Sequence, residues 1–298
     1  MNPEKITTII TEDNVEIKIQ NYVVKYHPQI CILTPSYGGT VYVNYLCSLM
    51  KTVELFNKMN IPFQIEFCKN DSLISRARNN LIAKAMSKKE NTHIMFIDSD
   101  ISWEPMDIIK LMMSEKELVG GVYPLKHYYW EKLLPSTTKS NDINSEKTQT
   151  PVEKWLDKHK KNQHLQSIVS EPEMIQQNLL KYNINYLSNY LSIQHNLTEV
   201  KHLATGFMMI QRSLIERMME EYPEKKYVDD VSFLHGDENN YAYALFDCGV
   251  EDGHYYSEDW MFCHRWKKLG GSIFVDVSIR LTHTGTEDYK GSFISTLF

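Results

Sequence analysis

The chain has 298 residues, close to the ceiling for one hydrophobic core, so one large domain or two closely coupled ones is expected. Hydrophobic residues make up 42% and charged residues 23%, a globular mix that excludes a disordered or fibrous chain. Lys plus Arg is 32 and Asp plus Glu is 38, giving 32 − 38 = −6; a mildly acidic chain is a poor candidate for general nucleic-acid binding, which rests on a basic surface, and leaves open only specific binding through a local basic patch.

The cysteines, Cys31, Cys47, Cys68, Cys248 and Cys263, form no CxxC or CxxH pair. Their odd count and scatter predict reduced, mostly buried thiols in a reducing compartment, and no structural zinc site. The start, Met1-Asn2-Pro3-Glu4-Lys5, lacks the basic opening and apolar run of a secretory leader. No stretch approaches the ~20 apolar residues that span a bilayer. The expectation is a soluble cytoplasmic protein, with peripheral membrane association left open.

In chain order, residues 1–28 alternate weakly (Val15, Ile17, Ile19) and are read as an N-terminal arm or strand pair. Ile30 to Thr34 is a continuous apolar run, as in a central strand covered on both faces. Pro35 to Gly39 is a loop. From Val41 to Asn60 apolar residues recur at helical spacing (Val43, Leu46, Leu49, Met50, Val53, Phe56). Phe63 to Phe67 is a second strand, Ser72 to Ser87 a second helix, and Ile94 to Ile97 a third buried strand. Pro105 suits the first turn of the next helix, and Leu118 to Tyr123 is a fourth strand.

Strands alternating with helices predict a Rossmann-like α/β fold: a mixed, mostly parallel sheet with helices on both faces. In such sheets ligands bind beyond the carboxyl ends of the strands. The organisation expected is an arm (1–28), a nucleotide-binding half (29–125), an insertion (126–200) and a second half (201–298). The insertion contains none of the 12 glycines and is rich in Lys, Asn, Gln and Ser, so it reads as a largely helical arm or lid. Beyond it, His202 to Gln211 is a strand interrupted at Gly206, Ser213 to Glu221 a helix, and Tyr241 to Phe246 a strand. Ser257 to Leu269 is a helix closed by Gly270-Gly271, and Ser272 to Asp276 is the last strand.

Five segments carry candidate chemistry. In Phe96-Ile97-Asp98-Ser99-Asp100 two carboxylates follow a buried strand. If extended geometry persists they point the same way, and they repel unless a cation or donors intervene. A divalent ion would satisfy them and hold the phosphates of a nucleotide; an Asp-rich turn capping the next helix is the plainer reading. In Tyr256-Ser257-Glu258-Asp259-Trp260, Ser257 suits an N-cap and the acids suit the helix dipole, while an acid on a cleft floor serves equally as a general base. His283 is either structural or a metal ligand. Arg76 and Arg78 are either solvated or grip phosphate near a helix start. Gly206 marks a bulge or the close approach of a backbone or ligand.

Taken in order, ILTPSY, SRARNN, FIDSD, GGVYP, ATGFMMI, SEDWMFCHRW and HTGT resemble the GT-A glycosyltransferases, closest to the inverting family-2-like enzymes, including those of large viruses and phages. The resemblance covers about residues 30–125 and 202–290. It implies a metal-dependent hexosyltransferase using Mn²⁺ or Mg²⁺ and a nucleotide-sugar donor, with UDP preferred. Thr34, Pro35, Ser36 and Tyr37 would cradle the nucleoside, with Arg76 and Asn79 on the nucleotide side. Asp98 would face the ribose and metal, Asp100 would ligate the ion bridging the phosphates, and His283 would complete the metal site. Gly206 would line the donor-sugar pocket, Asp259 with Glu258 beside it would be the base, and Trp260 would support the sugar pocket. A chain like those of large viruses would work in the host cytoplasm. The acceptor, a glycan or a protein, would be chosen by the insertion, where Tyr128, Tyr129, Trp130 and Trp155 either stack on a sugar or anchor the arm; a homodimer contact there is a third reading.

Two rivals come from other classes. A haloacid-dehalogenase-like phosphatase also places DxD after a strand, but on the first core strand, whereas two strand–helix units precede it here. A non-catalytic nucleotide-sugar-binding or scaffold protein of the same fold would not need DSD, ED and the late His together.

Overall fold

The structure, a computed structural model, describes residues 12–134, 149–188 and 192–287. Those expectations that fall on residues 1–11, 135–148, 189–191 and 288–298 lie outside the described residues. The chain forms two units, residues 1–123 with 184–298, and residues 124–183.

The first unit opens with α1 (Glu12–Tyr26). Here the expected strand pair gives way to a helix. Ile19 is buried, and Val15, Tyr22 and Val23 pack beside it at helical spacing, whereas Ile17, the alternate residue of the apparent period-two pattern, is 56% exposed. There follow β1 (Ile30–Ser36), α2 (Val43–Met59), β2 (Phe63–Lys69), α3 (Ile74–Ser87), β3 (His93–Ile97), β4 (Ile101–Ser102), α4 (Pro105–Met113) and β5 (Leu118–Gly120). Pro105 opens α4 as expected, and the Asp107 carboxylate accepts the Glu104 backbone N–H at 3.2 Å. On α2 the buried face is Tyr45, Leu49, Thr52, Phe56 and Met59, and three residues expected to be inside, Val43, Leu46 and Met50, are exposed.

Among its described residues the second unit holds a 3₁₀ turn (Trp130–Leu133), then α5 (Pro151–Lys160), α6 (Gln163–Ile168) and α7 (Glu171–Asn178). Thr150 caps α5, accepting the Glu153 N–H at 3.3 Å, and Asn162 caps α6, accepting the Leu165 N–H at 3.0 Å. Tyr128 receives a hydrogen bond from Gln176 at 2.7 Å, and Trp130 beside it is 58% exposed. The Lys181 ammonium lies 4.0 Å from the centre of the Tyr129 ring.

The chain returns to the first unit with β6 (Ile184–Tyr186) and β7 (Leu197–Leu203), so the insertion ends near residue 183 rather than 200. Then come β8 (Phe207–Gln211), α8 (Arg212–Glu221), β9 (Gly249–Glu251), β10 (His254–Tyr256), α9 (Glu258–Lys268), β11 (Phe274–Asp276) and β12 (Thr282–His283). The single strand expected across Gly206 is two strands, β7 and β8, that pair with different neighbours. The strand expected over Tyr241–Phe246 is also absent. That run follows a 3₁₀ turn, and its apolar residues Ala242, Leu245 and Phe246 are buried in irregular structure.

The central sheet has the order β2-β1-β3-β8-β5-β11-β7-β6. All its strands run the same way except β7 and β8, so the expected mixed, mostly parallel α/β sheet is present. Alternate residues supply two cores. Cys31, Leu33, Ile94, Phe96, Met208 and Ile210 meet α3, α8 and α9 on one face. Ile30, Ile32, Met95, Ile97, Phe207 and Met209 meet α1, α2 and α4 on the other. Burial on both faces explains the unbroken apolar runs, and each such side chain contributes about 1.5–3 kcal/mol.

Candidate functional site

The carboxyl ends of β1 and β3 open on one corner, where the sequence-marked acids gather. β3 ends at Ile97 and the chain turns at once: the Ile101 N–H donates to the Asp98 carbonyl at 3.0 Å. Extended geometry therefore does not persist through the Asp pair, and the two carboxylates reach different partners. The Asp98 backbone N–H donates to the Gly206 carbonyl at 3.1 Å, which ties the turn to the start of β8. Its carboxylate accepts from Arg78 Nη2 at 3.0 and 3.4 Å.

Asp100 meets the C-terminal segment. β12 pairs antiparallel with β4, His283 opposite Ile101, and the Thr284 N–H donates to the Asp100 carbonyl at 2.8 Å. This two-stranded ribbon sets His283 Nε2 3.5 Å from Asp100 Oδ2. The corner is stitched further by the Tyr42 N–H on the Ser99 carbonyl at 3.0 Å and by Asn44 Nδ2 on Thr284 Oγ1 at 3.2 Å.

The second acid pair opens α9. Ser257 holds the N-cap position, yet its hydroxyl donates to Asp259 Oδ1 at 2.5 Å instead of capping the helix. The Trp260 N–H donates to the same oxygen at 2.8 Å. Glu258 accepts from Arg78 Nε at 3.2 Å. Burial, and then the charge of Glu258, push the Asp259 carboxyl above its ordinary range. Trp260 stacks on His202 with ring centres 4.7 Å apart and planes 6° from parallel. Burial pushes the His202 imidazole down to about 4, so near neutral pH it is an uncharged flat partner.

Two residues bind these groups together, and for one of them, Tyr123, the sequence assigns no role. Arg78, expected either to be solvated or to grip phosphate, is buried and bridges Asp98 to Glu258. A signal was available, since Arg78 stands on the same helical face as Leu81 and Ile82, where a charge needs a partner. Tyr123 closes the run after β5. Its ring lies edge-on to His283, centres 5.1 Å apart, and a Cβ on Gly206 would come within 2.7 Å of it. The space that Gly206 leaves free is thus taken by the Tyr123 ring. Burial, then the nearby Asp98, raise the Tyr123 phenol and keep it protonated.

The remaining expected nucleotide residues divide. Thr34 and Pro35 lie within β1 and are buried; Thr34 Oγ1 shares a hydrogen bond with the Tyr45 hydroxyl at 2.6 Å. Ser36 donates to the Thr40 carbonyl at 2.5 Å. Tyr37 is 70% exposed at the mouth of the corner. Asn79 is buried and clasps the Phe246 backbone both ways, Nδ2 to O at 2.7 Å and Oδ1 from N–H at 2.8 Å. Arg76 forks onto Asp71 at 2.8 and 2.9 Å. In the structure both therefore have protein partners.

Among the described residues no three His, Cys, Asp or Glu side chains form a ready metal cluster. Asp98, the third member of the expected set, is engaged by Arg78. The Asp100–His283 pair does have suitable chemistry. A separation of 3.5 Å is near the ~3 Å between adjacent donors on an octahedral ion with ~2.1 Å bonds, and carboxylate with imidazole suits Mn²⁺. Such an ion would need further oxygens from its ligand. A separate cavity of about 870 Å³, bounded by α1, α4 and β7 and lined by Ile19, Ile109, Met113, Leu197 and Phe274, shares no residue with this corner.

No helix among the described residues is long and apolar enough to cross a membrane. Neither a protein-family model nor a curated protein matches the chain. Among solved structures, the crystal structure of A197 from STIV is similar, with a TM-score of 0.44 and 14% identity over 87% of this chain and 86% of that one. A likeness of that depth says nothing about chemistry.

Proposed function

We propose that the chain is a GT-A-type glycosyltransferase that moves a sugar from a nucleotide-sugar donor, a UDP-sugar, to an acceptor hydroxyl by one inverting displacement. One observation carries this reading. Acids from the end of β3 and the start of α9, with His283 from β12, gather around Arg78 and Tyr123 at the carboxyl end of the sheet, where ligands of such sheets bind.

Asp100 and His283 would hold Mn²⁺ or Mg²⁺, which when bound supplies positive charge for the oxygens of a departing diphosphate. Asp98, held by Arg78, faces the ribose, and the exposed Tyr37 lies against the nucleoside. Tyr123 and Gly206 close the sugar side, with Trp260 as an aromatic wall. Asp259 takes the proton from the acceptor hydroxyl. The new bond forms at the anomeric carbon as the bond to the diphosphate oxygen breaks, and that electron pair leaves with UDP. The raised carboxyl of Asp259 suits a base that must hold a proton after transfer.

The engagement of Asp98 by a buried guanidinium weighs against the phosphatase reading, in which that carboxylate is the nucleophile. Calorimetry with UDP, with and without Mn²⁺, followed by a mass-spectrometric screen of sugar nucleotides for hydrolysis and transfer, tests the proposal. Mn²⁺-dependent binding and release of UDP are expected. Binding without turnover of any donor would point to the binding module, and phosphate release from an aryl phosphate to the phosphatase.

A further inference from the structure

This inference rests on the reading of Glu258–Asp259 as the base motif and deepens it. Arg78 projects from α3 with its side chain 4% exposed. Its Nη2 donates to Asp98, its Nε to Glu258 at 3.2 Å, and its Nη1 is buried with no protein partner. Its guanidinium carbon lies 5.4 Å from the centre of the Phe96 ring. One planar fork therefore joins the end of β3 to the start of α9, and it takes one acid from each motif. Asp259, next in sequence to Glu258, is held by neutral donors instead, the Ser257 hydroxyl and the Trp260 N–H.

We propose that Arg78 is a positioning residue that decides which of two adjacent acids serves as the base: by seating Glu258 on the fork that already holds Asp98, it ties Glu258 into an ion pair and leaves Asp259 free of that fork to exchange the proton. The chemistry of two neighbouring carboxylates requires such a division, because like charges this close cannot titrate independently. The charged and titratable groups that act on or feel Asp259 are Glu258 and Cys263 on its own helix, Arg78 from α3, Tyr123 after β5 and Cys248 before β9. Among them Glu258 raises its carboxyl and Arg78 lowers it.

The signs give a test. A base must be deprotonated, so the acid limb of the rate profile follows the Asp259 carboxyl. Arg78→Met removes the lowering charge and moves the limb up by about one pH unit; Arg78→Lys brings it back; Glu258→Gln moves it down. If Arg78→Met alone does not fold, the double variant Arg78→Met with Glu258→Gln, which removes one cation and one anion, is compared with Glu258→Gln. Its limb is expected above that of the single variant. The same shifts are read without donor from the Asp259 carboxyl by carbon-detected NMR titration of the full chain. If folded variants lacking Arg78 keep both limb and carboxyl titration in place, Arg78 is only a tie between β3 and α9. If the wild-type chain turns over no donor, the base reading fails, and the NMR titration still decides the role of Arg78.

Discussion

The corner contains two acid pairs, and they are built differently. Asp98 and Asp100 stand on a turn, two positions apart, and are separated by having unlike partners: a guanidinium for the first, an imidazole for the second. Glu258 and Asp259 are adjacent on a helix start, where the positive end of the dipole favours anions, and only one of them receives a cation. The comparison teaches that a single buried arginine can divide both pairs at once. In each motif one acid is bound to Arg78; under the proposed reading the other faces the metal in the first and exchanges a proton in the second.

The largest effect expected from breaking this division is at Asp259. Asp259→Asn keeps donor binding and loses transfer by ~10²–10⁴-fold; turnover near that of the wild type would move the base elsewhere, Glu258 first. Next is Asp100→Ala. Loss of Mn²⁺-dependent UDP affinity by at least the ~10–100-fold that a supporting group is worth is expected in calorimetry, and affinity unchanged with and without Mn²⁺ would contradict the metal role. Gly206→Ala comes third. The added methyl meets the Tyr123 ring at 2.7 Å, so a loss of ~1–3 kcal/mol in denaturant unfolding is expected, relieved when Tyr123→Ala is combined with it. The smallest effect is expected at Arg76, the sequence neighbour that contrasts with Arg78. Its fork onto Asp71 is partly exposed, so Arg76→Ala costs under ~1 kcal/mol. A large loss of UDP affinity in that variant would return Arg76 to the nucleotide side.

Much of the fold could be read from the sequence because β1 and β3 are covered on both faces, which leaves apolar runs with no alternation to misread. The misreadings have physical causes. Val15 and Ile19 satisfy a helical period as well as a strand period, and only the exposure of Ile17 separates the two. The run from Tyr241 to Phe246 is apolar enough for a strand, but its residues pack as irregular chain: Phe246 is clasped by Asn79 and stacked on Phe262, ring centres 4.2 Å apart. In the site, both acid pairs, His283 and Gly206 were visible as motifs. The roles of Arg78 and Tyr123 were not, because they depend on contacts between distant segments. The Arg78–Glu258 bond spans 180 positions, and the Tyr123 ring finds its place only where β5, β8 and β12 come together.

The ribbon of β4 and β12 has a consequence for folding. Asp100 and His283 come within reach of one another only when the C-terminal segment has returned to pair with Ile101 and Ser102. Under the proposed reading, ion affinity would therefore be absent from any partly folded chain in which those last strands had not docked. An ion that binds only the finished fold raises the unfolding free energy by RT ln(1 + [L]/Kd), so thermal denaturation would become sensitive to Mn²⁺ concentration, and that sensitivity would report assembly of the C-terminal edge.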